Sequence, residues 1–197
     1  MFSFRKCKVE NCHTYALWDS DYCYHHTDDK KSVIASIMDK VEREKRIENI
    51  SIVNAEFEDK DFSTCFIGFS NFAFCTFRNC TFSSSRLISN FFDYAVFESC
   101  TFKDLEARYN VFSGAMIIKS DFSGSNLILS SFMGVDCYQS CFDNTDLYYS
   151  NFSLSKLINS SFEDSNLKRC SFRSALLRSV SFKYSNPEEA FFWNVKI

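Results

Sequence analysis

Apolar residues recur every five positions along most of this chain. From Phe57 the series runs through Phe62, Ile67, Phe72, Phe77 and Phe82, and its register continues unbroken to Phe182. Of the 26 positions in it, 16 are Phe, 6 are Leu and 2 are Ile, with Ala107 and Cys137 as the exceptions. An amphipathic helix would space apolar residues by three and four, and a half-buried strand by two. Neither explains an uninterrupted five. A second column, two residues earlier, is mostly small: Ala55, Cys65, Ser70, Cys75, Cys80, Ser85, Asn90, Ala95 and Cys100, then Ala115, Ser120, Ser125, Ser130, Ser140, Thr145, Ser150 and Cys170. Lys60 interrupts it. Each five-residue unit therefore turns one large and one small side chain inward and leaves three mostly polar positions for water. One large and one small group per unit can fill a narrow tube without voids.

A longer period lies over the first. Taken every twenty residues, Phe62, Phe82, Phe102, Phe122, Phe142, Phe162 and Phe182 form one all-Phe set. Phe72, Phe92, Phe112, Phe132, Phe152 and Phe172 form another. Ile67, Leu87, Leu127, Leu147 and Leu167 form an aliphatic set, and the fourth passes from Phe57, Phe77 and Phe97 to Ile117, Cys137, Leu157 and Leu177. Four units per period predict four sides per coil, with equivalent residues stacked ~4.8 Å apart and the two Phe ladders on opposite sides.

These units, such as Ser120-Asp121-Phe122-Ser123-Gly124, Ser125-Asn126-Leu127 and Ser165-Asn166-Leu167, resemble the pentapeptide-repeat family over residues 52–186. The resemblance implies an all-β fold, a right-handed quadrilateral β-helix of about 6–7 coils. It also implies a binding surface rather than an enzyme.

The pattern changes at both ends. Val33, Ile34, Ile37, Met38 and Val41 recur at helical spacing, and Thr27, Asp28 and Asp29 are N-cap candidates. The division expected is 1–27 for a Cys/His segment, 28–50 for a linking or capping helix, 51–186 for the β-helix and 187–197 for a C-terminal cap. The helix either closes the first coil or forms an arm for a partner; capping is favoured because a solenoid end exposes core and unpaired backbone. At the other end Pro187 falls where a large core residue is due, and Pro187-Glu188-Glu189 reads as a first helical turn. Phe191, Phe192 and Trp193 are then a lid on the core or a contact for a second copy. In gyrase-protecting proteins that the repeats resemble, the C-terminal end dimerises.

Composition sharpens this picture. The chain has 24 Phe but only 4 Gly and 1 Pro, so it must turn by a device other than Gly and Pro. Its net charge of −3 gives no strong pull toward nucleic acid or anionic membrane. Arg5, Lys6 and Lys8 precede no apolar run, and no stretch is apolar enough to span a membrane. Cys65, Cys75, Cys80, Cys100 and Cys170 occupy the small inward column, Cys137 replaces a large core residue, and Cys141 should face outward. Buried reduced thiols in such numbers point to a reducing, cytoplasmic setting.

The first 26 residues hold Cys7, Cys12, Cys23, His25 and His26. The spacing C-x4-C-x10-C-x2-H, taking His26 with His25 as the alternative, suits one structural, tetrahedral Zn²⁺ with four protein ligands. His13 is a poorer choice beside Cys12. A segment this short needs such a staple, and it is similar to small zinc knuckles in general.

No catalytic constellation is present: no phosphate-binding loop, every His in the first 26 residues, and repeat carboxylates at outward positions without a pocket. The outward positions that break the polar rule are Ile88, Tyr109, Ile128, Leu129, Tyr148 and Tyr149, joined by Ile118, Tyr138 and Ile158. They form either a protein-binding patch or ladders that only stabilise neighbouring coils. A non-enzymatic scaffold or adaptor is the leading function. The runner-up is a DNA mimic directed at a type II topoisomerase, as in some proteins these repeats resemble. From Ser51 to Ile197, however, 16 acidic residues are nearly matched by 13 basic ones, and Lys168, Arg169, Arg173, Arg178 and Lys183 make the last coils basic. Nucleic-acid binding through the zinc segment is third.

Overall fold

The computed structural model describes residues 4–197. From Arg46 to Lys196 the chain winds into a parallel, four-sided β-helix of about seven turns in which residue i lies beside residue i+20. On one side Arg46–Glu48, Phe66–Gly68, Arg86–Ile88 and Glu106–Arg108 form a four-stranded ladder. Opposite it, seven three-residue strands run from Glu56–Glu58 to Leu176–Arg178. The two sides between are joined by single bridges, as in the series Asn71↔Phe91, Phe91↔Val111 and Val111↔Ser131.

The turning device is a left-handed residue at every fifth position. From Asn49 to Asn194 each corner residue has φ between 48 and 73°, and only three of these are Gly. The left-handed bend swings the chain onto the next side. Each non-Gly residue there costs about 1–2 kcal/mol, offset by the ladder bonds and core burial that the bend allows.

The core contains both Phe ladders. Phe122, Phe142 and Phe162 stack at 4.7 and 4.8 Å with near-parallel rings, and Phe132 and Phe152 stack at 4.7 Å on the opposite side. Phe142 meets both Phe132 and Phe152 edge-on at 5.9 Å. Both geometries are favourable for aromatic quadrupoles, at about 0.5–1.5 kcal/mol per pair beyond area burial. The two departures from the large column have local causes. Leu105 and Val135 fill the small positions beside Ala107 and Cys137, and all four are fully buried. Small-column hydroxyls bond carbonyls of the preceding coil, as Ser125 does to Phe102 at 2.5 Å. Asn90 and Asn110 are buried but satisfied by each other and by the carbonyls of Ile67 and Leu87.

The N-terminal helix α1 spans Lys30–Glu44. Asp29 caps it, accepting from the Ser32 N–H, and left-handed Lys45 ends it. Ile37 and Val41 are buried in one apolar cluster with Ile47, Ile50 and Ile52, and α1 contacts the Arg46–Glu48 strand, so α1 closes the first coil. The helix is shorter than 28–50 because Ile47, twenty residues before Ile67, is already a core rung.

The C-terminal reading changes. Residues 187–196 form no helix. They continue the coil register, with Asn186 beside Asn166, Phe191 beside Ser171 and Lys196 beside Leu176. Pro187 takes the large position, and its carbonyl accepts from Ala190 at 2.9 Å, as Phe172 accepts from Ala175. Leu167 in the preceding coil donates its N–H upward to Asn186. Pro187 has no N–H to pass on, which blunts that edge.

Candidate functional sites: a Cys₃His centre and a charge-poor face

The N-terminal segment is built to converge four ligands. Cys7 and Cys12 flank a tight hairpin held by Cys7 N–H to Thr14 O (3.0 Å), Ala16 N–H to Arg5 O (2.7 Å) and Cys12 N–H to Val9 O (3.1 Å), with Asn11 left-handed at φ 61°. Cys23 and His26 bracket the 3-10 turn Tyr24–His26. The Sγ atoms of Cys7, Cys12 and Cys23 and a ring nitrogen of His26 all lie within 4.8 Å of one another. Cys12 and Cys23 sulfurs are 3.9 Å apart, and His26 Nδ1 lies 3.5 Å from Cys7 Sγ and 3.4 Å from Cys23 Sγ. Ligands at ~2.0–2.3 Å from a tetrahedral ion are separated by about 3.5–3.8 Å, so the donor set fits Zn²⁺ in type and in spacing. His25 stands outside the cluster, its ring edge-on to His26 at 5.1 Å.

Within this centre the two buried thiols are pushed in opposite directions, Cys23 up by burial and Cys7 down. Desolvation pushes the Cys7 thiol up. Hydrogen bonds involving Val9 and Cys23 backbone, His26 and Cys12 more than compensate and bring it down to about 6. Cys23 N–H lies 3.4 Å from Cys7 Sγ, an interaction that also supports a metal-bound thiolate. In the tube, burial raises Cys75 and Cys170 to about 12. All ten cysteines are free thiols, and those of the tube core act as small buried apolar groups.

The Cys/His segment is joined to the tube. Leu17 is 2 % exposed and belongs to the same core cluster as Ile37, Val41 and Ile47, with Trp18 and Tyr24 packed against it. A cleft of about 980 Å³ runs beside α1, floored by Ile34, Ala35 and Met38 and rimmed by Lys30, Glu56, Glu58 and Asp61 among others.

The surface of the tube is two-sided. Take one side with its two corners, rows 69–74, 89–94, 109–114, 129–134 and 149–154. These thirty residues contain one charge, Asp93. The opposite side with its corners, over five equivalent rows from 79–84 to 159–164, contains seven. The charge-poor side exposes Phe69, Tyr109, Leu129 and Tyr149 along one corner, Phe74, Tyr94 and Leu154 along the other, and Met133 between them. Phe74 and Tyr94 stack at 5.2 Å.

Of the six residues expected to bind a partner, Tyr109, Leu129 and Tyr149 form this exposed corner, while Ile88, Ile128 and Tyr148 lie half-buried on the adjoining side. Phe69, Phe74, Tyr94, Met133 and Leu154 were missed. Their outward places follow from the same twenty-residue register. At the C-terminal end Phe192 is the last rung of a Phe ladder, stacked on Phe172 at 4.9 Å and 40 % exposed. Phe191 lies under the Arg173 guanidinium at 4.7 Å, and Trp193 is exposed.

Comparison with known proteins agrees with this architecture. The family model for pentapeptide repeats matches in 8 copies over residues 111–148 and 150–194. Those residues are pentapeptide repeats, and the coils before them keep the same register. Among solved structures it is similar to trypsin-treated QnrB1, a plasmid-mediated fluoroquinolone resistance protein, with 15% identity and a TM-score of 0.50 over 74% of this chain and 81% of that one. It also matches HetL, a pentapeptide repeat protein involved in heterocyst differentiation regulation from the cyanobacterium Nostoc sp. strain PCC 7120. There the identity is 14% and the TM-score 0.26, over 82% of this chain and 95% of that one. At such identity the QnrB1 match shows the fold alone. A search of curated proteins finds no match.

Proposed function

We propose that the protein is a non-enzymatic adaptor that holds a partner protein on the charge-poor face of its β-helix, with one structural zinc bound by Cys7, Cys12, Cys23 and His26. The observation that carries this reading is the single charge among thirty residues that also expose eight large apolar side chains. Depletion of charge with enrichment of Tyr, Phe and Met is the compositional mark of an interface core. Several large apolar side chains exposed on one face mark an interaction surface. A zinc with four protein ligands has no open position for substrate, so its role is to hold the N-terminal segment over the first coil.

The reading is tested by affinity capture with wild-type protein and with the double variant Leu129→Asp, Tyr149→Asp, each checked for an unchanged melting temperature. A partner retained by wild type and lost by the variant supports it; equal retention overturns it. If the partner is a type II topoisomerase, duplex DNA should compete for it, and the DNA-mimic reading would then stand.

A further inference from the structure

The charge-poor face is also complementary to itself. Resting on the reading of this face as an interaction surface, we propose that its occupant is a second copy of the chain, docked antiparallel about a twofold axis through the row 109–114.

Three observations lead there. The first is shape. The Tyr94 ring lies over Gly114, where a Cβ would come within 2.6 Å of it, whereas a Cβ at Gly134 would meet nothing nearer than 4.0 Å. The corner therefore carries a knob at Tyr94 and an open notch two coils further on. The second is spacing. Rows repeat every twenty residues, about 4.8 Å apart, so only another ladder of the same pitch can match every row. Turning one copy over about row 109–114 sets Tyr94 against the other copy's Gly134, Leu129 against Ser89, Phe74 against Leu154, and Tyr109 against itself. Tyr94 and Leu129 then meet small residues, Tyr109 meets its own copy on the axis, Met133 meets Asp93, and pairs of large side chains close the ends. The interface is isologous, as closed dimers require.

The third is area. The eight exposed apolar side chains are 36–62 % accessible. At ~150–250 Å² for a whole aromatic side chain, they offer on the order of 800 Å², which is one partner's share of a standard interface, about 800 Å². The one charge on the face, Asp93, is already partly desolvated, and burial raises its pKa.

Sedimentation of the full-length, zinc-replete protein tests this. Wild type is expected to be a dimer. Tyr109→Asp sets two carboxylates against each other on the axis and should weaken the dimer about a hundredfold or more. The left-handed corner tolerates Asp, so thermal stability should hold. Ser113→Cys, beside the axis, should give a disulfide-linked dimer under mild oxidation, and Ser123→Cys on the opposite side should not. A wild-type monomer overturns the proposal, while leaving the adaptor reading to its own capture experiment. A dimer that survives Tyr109→Asp and dissociates in Trp193→Ala places the contact at the end of the tube and also overturns it.

Discussion

Leu105 and Ala107 exchange sizes: the large residue of their unit sits in the small column and the small residue in the large column, and neither is exposed. Val135 and Cys137 repeat the exchange on the opposite side, one coil and a half further on. The core conserves volume per unit rather than residue type per position, as close packing demands.

This makes a double-mutant prediction. Leu105→Ala should cost about 2–5 kcal/mol through the cavity it leaves. Ala107→Leu should cost about 1–3 kcal/mol through overpacking. The double variant restores the ordinary column order of the neighbouring coils and should recover most of both losses, read from denaturant midpoints at constant slope. Simple additivity of the two losses would contradict the exchange.

The Phe ladders should show a gradient from the middle to the end. Phe142 stacks on Phe122 and Phe162 and meets two more rings edge-on, so Phe142→Ala should cost about 3–5 kcal/mol. Phe192 has a stacking neighbour on one side and is 40 % exposed. Phe192→Ala should cost well under half as much in the same denaturation experiment.

Most of this fold was legible because its geometry imposes strict periods. A residue at i+20 must stack on residue i, so Phe62 to Phe182 and Phe72 to Phe172 name two sides of the tube without a structure. What hid from the sequence was set by volume or by backbone rather than by hydrophobicity. Ala107 reads as a break until Leu105 beside it is counted. Pro187 reads as a helix start because it replaces a large apolar residue, yet the left-handed corners continue at Glu189 and Asn194. The Cys₃His centre was readable from its spacing, but the choice of His26 over His25 depended on the 3-10 turn that aims one ring inward. The charge-poor face was only half seen: Tyr109, Leu129 and Tyr149 were read along one left-handed corner, while Phe74, Tyr94 and Leu154 lie along the next corner of the same face.

Those corners give a further prediction. Leu154 is left-handed at φ 63° and 62 % exposed. Leu154→Gly removes a conformation that costs an L-residue about 1–2 kcal/mol but adds entropy to the unfolded chain. Stability should stay within about 1 kcal/mol of wild type, or rise, while partner capture weakens. Leu154→Val, β-branched at a left-handed corner, should destabilise by more than about 1 kcal/mol. The same melting curve for both variants would show that the corner strain has been misjudged.

Leu17, Val41 and Ile47 share one buried apolar cluster, which ties the Cys/His segment to the first coil. Stripping metal from the folded protein with a chelator should therefore speed amide exchange in residues 7–26 and at Ile37, Ile47 and Ile50. Amides in rows 109–154 should be unaffected, since each coil is held mainly by its neighbours. Uniform loosening along the whole tube would contradict this.

The claim on which the two-part molecule rests is the metal itself, and the most direct measurement is the metal content of the purified, reduced, full-length protein by mass spectrometry. One zinc per chain is predicted, lost in Cys23→Ser and in His26→Ala and kept in His25→Ala. Wild-type protein purified without chelator that carries no zinc, or that keeps it in His26→Ala, would contradict the Cys₃His centre.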